Sequence, residues 1–253
     1  MSGRLENKVA IITGTAGGQG RAAALRFAEE GARVIGCDLD EVGNRETVRL
    51  ADAADGEMRG MAPVDLGDPD QARRWVEDSA AVHGRIDIVY NNASAARFAP
   101  IGDHSIEDWR FTIRNELDLV FYVTRFAWPH LAVHGGVIIN IASVAGLAGS
   151  RSAPMVAHAA TKGGVIAMTR QLAVEGGPHG IRAVSISPGV IETPGTAALL
   201  ADPAVRAAIV GHNIIPRAGT PRDVVDLAVY LASDEAAFVT GANFVVDGGM
   251  TVT

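Results

Sequence analysis

The residues of this sequence best suited to proton transfer are His158 and Lys162, which lie four positions apart. Residues four apart on an α-helix share one face, so the imidazole and the ammonium are expected to point the same way. A free imidazole titrates at about pH 6.5, and a neighbouring positive charge disfavours a second one. The spacing therefore predicts a pair that accepts a proton near neutral pH.

A glycine-rich segment after the first apolar run has the residue types of a phosphate-binding turn. Gly14, Gly18, Gln19 and Gly20 follow the run Val9-Ala10-Ile11-Ile12, and a helix is predicted to come next. Glycine permits a tight turn, a close approach of the backbone to a pyrophosphate, and close packing of helix on strand. The N-terminus of a helix offers free N–H groups to phosphates. The segment therefore predicts a dinucleotide site.

A carboxylate stands at the end of the second apolar run, where Asp38 follows Val34-Ile35-Gly36-Cys37. Such a group can accept hydrogen bonds from both hydroxyls of an adenosine ribose, and it would repel a 2′-phosphate. The alternative is that Asp38 caps the helix expected to begin around Glu41. The position of Asp38 downstream of the glycine turn favours the cofactor role, with NAD as the cofactor.

Short apolar runs alternate with amphipathic segments along the whole chain. Besides the two already named, the runs are Ile86-Asp87-Ile88-Val89-Tyr90, Val137-Ile138-Ile139-Asn140-Ile141, Ala183-Val184-Ser185-Ile186 and Phe244-Val245-Val246. Most are nearly continuous in apolar character, as is typical of strands buried on both faces of a parallel sheet. The pattern predicts a single α/β domain over residues 1–253, with a doubly wound (Rossmann-like) parallel sheet and helices on both faces.

The least regular region is 191–221, which contains four prolines and several apolar residues. In a doubly wound fold, an insertion after a late strand lies over the carboxyl ends of the strands, where ligands bind. A surface loop is the alternative. The length and apolar content of the segment favour a substrate lid.

The composition narrows the class of protein. The chain has 253 residues, 48% of them hydrophobic, and a formal net charge of −7, which argues against a nucleic-acid partner. Cys37 is the one cysteine, which excludes a disulfide framework and a cysteine zinc site, and no metal site is expected. The charged segment Met1 to Lys8 is unlike a signal peptide, and no apolar run is long enough to cross a bilayer. We therefore expect a cytoplasmic protein without a membrane partner.

Further motifs resemble those of the short-chain dehydrogenases/reductases of the classical type, over nearly the whole chain. They are the spacing Gly14-x-x-x-Gly18-x-Gly20, then Asp65-Leu66, Asn91-Asn92-Ala93, Asn115, Ser143, Lys162, the segment Pro188 to Thr193 and Val246-Asp247-Gly248-Gly249. Ser94 stands where the family usually has glycine. The resemblance implies an oxidoreductase that uses a nicotinamide cofactor.

The resemblance also implies roles for individual residues. Asp65 and Leu66 would contact the adenine ring, Asn91 would border the cofactor, Asn115 would hold a structural water near Lys162, Ser143 would orient the substrate, Lys162 would bind the nicotinamide ribose, and Ile191 and Thr193 would hold the nicotinamide carboxamide. Members that use NADP often have a cation in the glycine turn or after the second strand. Here those positions are Gly17 and Leu39, which supports NAD.

One departure from the family concerns its general acid/base. Members have a tyrosine four residues before the lysine, and here that residue is His158, with no tyrosine between Tyr122 and Tyr230. The gap from Ser143 is two residues longer than usual, and the extra length falls in 149–155. Imidazole also reaches less far than a phenol. An active oxidoreductase with His158 as acid/base is favoured. The alternatives are a cofactor-binding protein with other chemistry or a non-catalytic subunit, and a solvent-facing His158 with catalysis relayed by water from Lys162.

The expected substrate is a secondary alcohol or the corresponding ketone, medium-sized and largely apolar. The residues expected to border it are Arg97, Phe98, Arg151 and Met155. The family resemblance also implies a homo-oligomer, a tetramer or a dimer, built from the helices around 117–131 and 158–175.

Overall fold

The computed structural model describes residues 3–150 and 153–253, and the centre of the fold is a parallel β-sheet. The strands are β1 (Val9–Thr13), β2 (Arg33–Cys37), β3 (Met58–Met61), β4 (Ile88–Asn91), β5 (Gly136–Ile141), β6 (Ile181–Pro188) and β7 (Asn243–Val246). Over the described ranges these seven strands pair in the order β3-β2-β1-β4-β5-β6-β7, and every pairing is parallel.

Helices connect the strands and cover both faces of the sheet. They are α1 (Gly18–Glu29), α2 (Glu41–Asp52), α3 (Pro69–His83), α4 (Ile106–Ile113), α5 (Leu119–His134), α6 (Val156–Gly176), α7 (Pro194–Ala201), α8 (Pro203–Val210) and α9 (Pro221–Ala232). A π-helical turn, Arg114–Asp118, joins α4 to α5 without a break. The predicted doubly wound α/β fold is confirmed.

The sheet is buried on both sides because its strands alternate apolar side chains between two cores. In β1, Ala10 and Ile12 pack in one core, which contains residues of α1, α2 and α9. Val9 and Ile11 pack in the other core, which contains residues of α3, α5 and α6. A strand whose two faces are both covered must be apolar throughout, and this explains the nearly continuous apolar runs of the sequence.

Strand β3 was absent from the series of apolar runs, and its position explains why. It lies at the edge of the sheet and pairs only with β2 within the described residues. Of its four residues, Met58 is buried, whereas Arg59 and Gly60 are exposed. An edge strand with one solvated face needs no apolar run, so the apolar pattern missed it.

The segment 191–221 is more regular than its sequence indicated. It contains two short helices, α7 and α8, and each begins with a proline. Proline is well suited to the first helical position because no partner exists there for an N–H group. Here Pro194 and Pro203 therefore start helices, although their presence in the sequence predicted an irregular segment.

The arrangement of the strands determines where a ligand can bind. The chain winds outward from β1 in one direction to β2 and β3, and in the other direction from β4 to β7. Connections leave β1 and β4 on opposite faces of the sheet, so a crevice forms outside their carboxyl ends.

No helix in the described ranges is long and apolar enough to span a membrane.

Candidate active site

The turn between β1 and α1 is shaped by glycines at the predicted positions. Gly14 and Gly18 have φ angles of 76° and 53°, a region that favours glycine. A Cβ atom on Gly20 would lie 1.8 Å from the carbonyl oxygen of Gly14, so a side chain there would push α1 away from the turn. Helix α1 begins at Gly18, and its first N–H groups have no intrahelical partners. The turn can therefore bind a phosphate.

Asp38 follows β2 directly and borders the same crevice. The N–H of Ala16 donates to Asp38 Oδ2 at 2.8 Å, and the N–H of Asp40 donates to Oδ1 at 3.0 Å. Helix α2 is capped by Asp40, whose side chain accepts from the N–H groups of Val42 and Gly43. The helix-cap alternative for Asp38 is therefore wrong. Each carboxylate oxygen has two lone pairs, so Asp38 retains the capacity to accept from ligand hydroxyls.

A cleft of about 430 Å³ lies at the carboxyl ends of β1 to β4. The predicted residues in its walls are Gly14, Gly18, Gln19, Asp38, Asp65, Leu66, Asn115 and Thr193. Its walls carry the carboxylates of Asp38 and Asp65 but, within the described part of the chain, no arginine or lysine. Asp65 is held by Arg114, whose Nη2 lies 2.6 Å from Asp65 Oδ2. The wall near Asp38 is therefore unfavourable for an additional phosphate group.

The residues of the cleft fit a dinucleotide. A Cβ atom on Gly17 would have nothing within 4 Å, so the turn leaves open space beside the helix N-terminus. Gln19 Oε1 is buried without a hydrogen-bond partner among the described residues, so a donor on a ligand could satisfy it. The guanidinium of Arg21, which follows the turn, already donates to Ala16 O, Gly43 O and Thr47 Oγ1. It is therefore engaged within the protein.

Four residues predicted to bind the cofactor lie outside the cleft walls, namely Gly20, Asn91, Lys162 and Ile191. Asn91 is buried, and its Nδ2 donates to Thr124 Oγ1 at 3.1 Å and to Asn140 Oδ1 at 2.8 Å. Ile191 is also buried, whereas Asn92 lines the cleft. The Asn91 side chain therefore belongs to a polar network inside the sheet. A cofactor contact of Asn91, Ile191 or the other two residues stays a prediction.

Ser143 and Lys162 both make contacts at the carboxyl end of β5, Lys162 with its last residue and Ser143 just beyond it. Ser143 Oγ accepts a hydrogen bond from the N–H of Ala145 at 3.1 Å, which leaves the hydroxyl hydrogen able to donate. Lys162 is 3% exposed, and its Nζ donates to the carbonyl of Ile141 at 3.1 Å. Burial lowers the pKa of Lys162, and the negative charge of Glu116 opposes that shift. The serine and the ammonium are thus brought to one short segment at the carboxyl end of the sheet.

His158 lies in the first turn of α6, one helical turn before Lys162. Its Nδ1 atom is 2.9 Å from both carboxylate oxygens of Glu116. The ring of Phe98 meets the imidazole edge to face, with 5.7 Å between the ring centroids. The His158 side chain is 18% exposed. The imidazole is therefore fixed at one nitrogen and still reaches the surface.

Glu116 is a site residue that none of the sequence motifs indicated. It is 1% exposed, and besides the contact with His158 it accepts hydrogen bonds from Ser94 Oγ at 2.6 Å and Thr161 Oγ1 at 2.5 Å. Burial by itself raises the pKa of the Glu116 carboxyl. The hydrogen bond from His158, the positive charge of Lys162 and the bond from Ser94 outweigh burial, and the pKa is lowered to about 2. The carboxylate is therefore ionised at neutral pH.

The helical spacing around Glu116 indicates that its carboxylate lies on a buried face of the helix. Glu116 lies four residues after Thr112 and four before Val120, and all three side chains are buried. A carboxylate on the buried face of a helix is costly unless it is paired, so this position already indicated a partner. The sequence could not indicate which partner, because His158 is distant along the chain.

Asn115 is held by the π-helical turn Arg114–Asp118 and lines the cleft. Its Nδ2 donates to the carbonyl of Phe111 at 2.8 Å. Turns of this type occur frequently at functional sites. The role of Asn115 in holding a structural water stays a prediction.

The residues expected to border the substrate have different surroundings. The guanidinium of Arg97 lies 4.6 Å from the Phe111 ring centroid, and its Nε is 3.3 Å from Asp108 Oδ1. Phe98 packs beside His158, and Met155 occupies the N-cap position of α6 without a side-chain hydrogen bond. The fourth, Arg151, lies outside the described residues.

The sheet order, the glycine turn and the cleft at the switch point define a dinucleotide-binding protein of the doubly wound α/β class. Residues 14–251 match the family model described as enoyl-(acyl carrier protein) reductase. The chain belongs to the short-chain dehydrogenase/reductase family, which confirms the resemblance found in the motifs. It is an oxidoreductase that uses a nicotinamide cofactor.

The similarity to relatives extends over essentially the full chain. Meso-2,3-butanediol dehydrogenase from Serratia marcescens is 36% identical over 251 residues, which cover 99% of this chain and 97% of that protein. A 3-oxoacyl-(acyl-carrier-protein) reductase from Thermotoga maritima is 36% identical over 250 residues, which cover 98% of this chain and 100% of that protein. The solved structure of a Burkholderia xenovorans protein assigned to the short-chain dehydrogenases/reductases superposes with a TM-score of 0.93, at 36% identity and with 99% of both chains covered.

Proposed function

We propose that this protein is an NAD-dependent oxidoreductase that interconverts a secondary alcohol and a ketone, with His158 as the general acid/base. The observation that carries the proposal is the position of His158, one helical turn before the buried Lys162 and partly exposed at the surface. The relatives named above include a dehydrogenase of a secondary diol and a reductase of a 3-oxo group. Their names support an alcohol–ketone pair as the substrate class.

The charge of the cleft supports NAD over NADP. Asp38 retains acceptor capacity for ribose hydroxyls, and Arg21, the cation after the glycine turn, is engaged in three hydrogen bonds within the protein. A 2′-phosphate placed near Asp38 would meet a negative charge without a compensating cation. Gln19, Asp65, Leu66 and Thr193 line the rest of the cleft and are proposed to contact the cofactor.

The bound nicotinamide would accept a hydride from the carbinol carbon, and the protein must remove the hydroxyl proton. We assign that proton to an imidazole nitrogen of His158, since a base within hydrogen-bond reach of the hydroxyl is required. Ser143 Oγ, whose hydrogen is free to donate, would orient the substrate oxygen. Lys162 would bind the nicotinamide ribose. In ketone reduction, the same imidazole nitrogen returns the proton.

Exposed apolar side chains suggest a largely apolar, medium-sized substrate. Phe98 beside His158 is 55% exposed, and in the segment 191–221 Leu199 and Ile214 are 49% and 63% exposed. We propose that 191–221 acts as a substrate lid, because its helices α7 and α8 follow Thr193, a residue of the cleft wall.

Exposed apolar residues on α5 and α6, Phe121 and Val174 among them, are consistent with a homo-oligomer built from these helices, a dimer or a tetramer.

An assay of NADH formation with a panel of secondary alcohols tests this proposal. The wild-type protein should reduce NAD with at least one alcohol. His158→Ala should lower kcat by about a hundredfold or more, which is the usual contribution of a general base. Lys162→Ala should abolish turnover.

His134→Ala is a matched control, because it removes an exposed histidine at the end of α5. It should leave kcat unchanged. Full activity of His158→Ala would refute the assignment of His158 as the general acid/base. The absence of turnover with every alcohol would refute a secondary alcohol as the substrate.

A further inference from the structure

A buried carboxylate contacts the imidazole that the proposed reaction uses. Glu116 belongs to the π-helical turn between α4 and α5, and His158 belongs to α6, so the contact joins two separate elements. Both Glu116 oxygens lie 2.9 Å from His158 Nδ1. The carboxylate is 1% exposed, whereas the imidazole is 18% exposed. The pair therefore links the interior of the protein to the surface of the site.

The other contacts of Glu116 fix the direction of this hydrogen bond. Ser94 Oγ donates to Oε1 at 2.6 Å, and Thr161 Oγ1 donates to Oε2 at 2.5 Å. With a pKa of about 2, the carboxylate is ionised and can only accept hydrogen bonds. His158 Nδ1 must therefore carry a hydrogen and donate it. In the neutral ring this leaves the lone pair on Nε2.

We propose that Glu116 is a positioning residue, which holds His158 in the tautomer with hydrogen on Nδ1 and so makes Nε2 the atom that exchanges a proton with substrate. This inference deepens the proposed function and rests on it. The same arrangement, a buried carboxylate on the Nδ1–H of a general-base histidine, sets the tautomer and orientation of the ring in the serine-protease triad.

The contact also changes the charge balance that the sequence predicted. From the sequence, Lys162 was the charge facing His158, and it disfavours a protonated ring. The structure adds an opposite charge from Glu116, which contacts His158 and also interacts with Lys162. Within the described residues, the hydrogen bonds of the imidazole are with Glu116 and its ring contact is with Phe98. The charged group in direct contact with the ring is therefore a carboxylate.

The proton and electron balance is complete with NAD as co-reactant. During alcohol oxidation, the O–H bond breaks and its proton moves to His158 Nε2. The carbinol C–H bond would break as the C=O bond forms, and its hydrogen and electron pair would leave together as a hydride, for which NAD would be the acceptor. The Nδ1 hydrogen stays on the ring throughout, hydrogen-bonded to Glu116. The proton on Nε2 is then released to solvent, which restores the neutral tautomer.

Nitrogen-15 NMR of the histidine side chains tests the tautomer without any need for turnover. In protein labelled in the imidazole nitrogens, the signals of His158 are those that disappear in His158→Ala. We expect Nδ1 of neutral His158 to show the protonated type of signal and Nε2 the unprotonated type. The opposite pattern in the wild-type protein would overturn the proposal, and this measurement requires no variant of Glu116.

Kinetics of Glu116→Gln test the consequence for catalysis. The amide keeps the shape of the side chain but removes its charge, and its nitrogen can donate to Nδ1 and favour the wrong tautomer. We expect kcat to fall by about a hundredfold to ten-thousandfold. The dissociation constant for NAD should stay close to the wild-type value, because Glu116 is not in the cleft wall. Glu116→Asp, which keeps the charge, should recover part of the lost kcat.

A matched control is Glu77→Gln, which removes one negative charge from an exposed position of α3. It should leave kcat and the tautomer unchanged. Wild-type kcat in Glu116→Gln would refute the positioning role. If no alcohol is oxidised by the wild-type protein, the proposed function fails instead. The NMR measurement, made on the wild type and on Glu116→Gln, then decides whether Glu116 sets the tautomer of His158.

Discussion

The ionised state of the buried Glu116 makes a quantitative prediction for acid stability. Its pKa is lowered from the usual 4.5 to about 2 in the folded protein. The unfolded chain therefore binds a proton at this residue at a higher pH than the folded chain does. Because the folded pKa is depressed, the associated stability is present above about pH 4.5 and is lost as the pH falls toward 2. In full it corresponds to about 3 kcal/mol.

The perturbation is Glu116→Gln, in which the side chain no longer titrates. Between pH 6 and pH 4, the free energy of unfolding of the wild-type protein should fall by about 1 kcal/mol more than that of the variant. The difference should widen further toward pH 3. The comparison uses the change with pH, so it remains valid even if the variant is less stable at every pH.

Urea denaturation of the cofactor-free proteins, followed by circular dichroism at a series of pH values, measures this difference. Glu77→Gln serves as the control, because an exposed glutamate of α3 is replaced, and it should show the wild-type pH dependence. Parallel stability curves for wild type and Glu116→Gln would refute the depressed pKa.

Two further predictions concern the cofactor cleft. Asp38→Ala should lower the preference for NADH over NADPH by about tenfold or more, measured by fluorescence titration, because a repulsive charge is removed. Asp40→Ala, which removes a neighbouring charge but acts on the cap of α2, should keep the preference. Gly20→Ala should lower the free energy of unfolding by about 1–3 kcal/mol or more, because its Cβ would overlap the Gly14 carbonyl. Gly17→Ala, whose Cβ would lie in open space, should leave the free energy of unfolding unchanged. Equal melting temperatures for the two variants would contradict this prediction.

The apolar pattern predicted the interior of the sheet well because burial on both faces leaves little freedom of composition. The runs at Val9 and Val137 became β1 and β5, at the centre of the sheet. Where burial is one-sided the pattern weakens, as at β3. In the segment 191–221 the prolines were ambiguous, because proline both interrupts helices and begins them. The structure places Pro194 and Pro203 at helix starts.

The cofactor side of the site was more predictable than the catalytic side. The glycine turn and Asp38 are set by local backbone geometry, and each is recognisable from its position after a strand. The surroundings of His158 depend instead on Glu116 and Ser94, which are remote from it in sequence. Only the folded chain brings them together. The sequence therefore indicated which residues differ from the family, but not that two of them, Ser94 and His158, share one carboxylate.

The π-helical turn at 114–118 sets the directions in which side chains leave the continuous helix from α4 to α5. In an α-helix, neighbouring side chains are separated by about 100° around the axis. The wider turn reduces that angle locally, and here Asn115 reaches the cleft while its neighbour Glu116 reaches α6. The two helical halves are consequently out of phase by part of a turn. Loss of one residue from 114–118 would restore the uniform angle of an α-helix, and Asn115 and Glu116 would then not both keep their present directions.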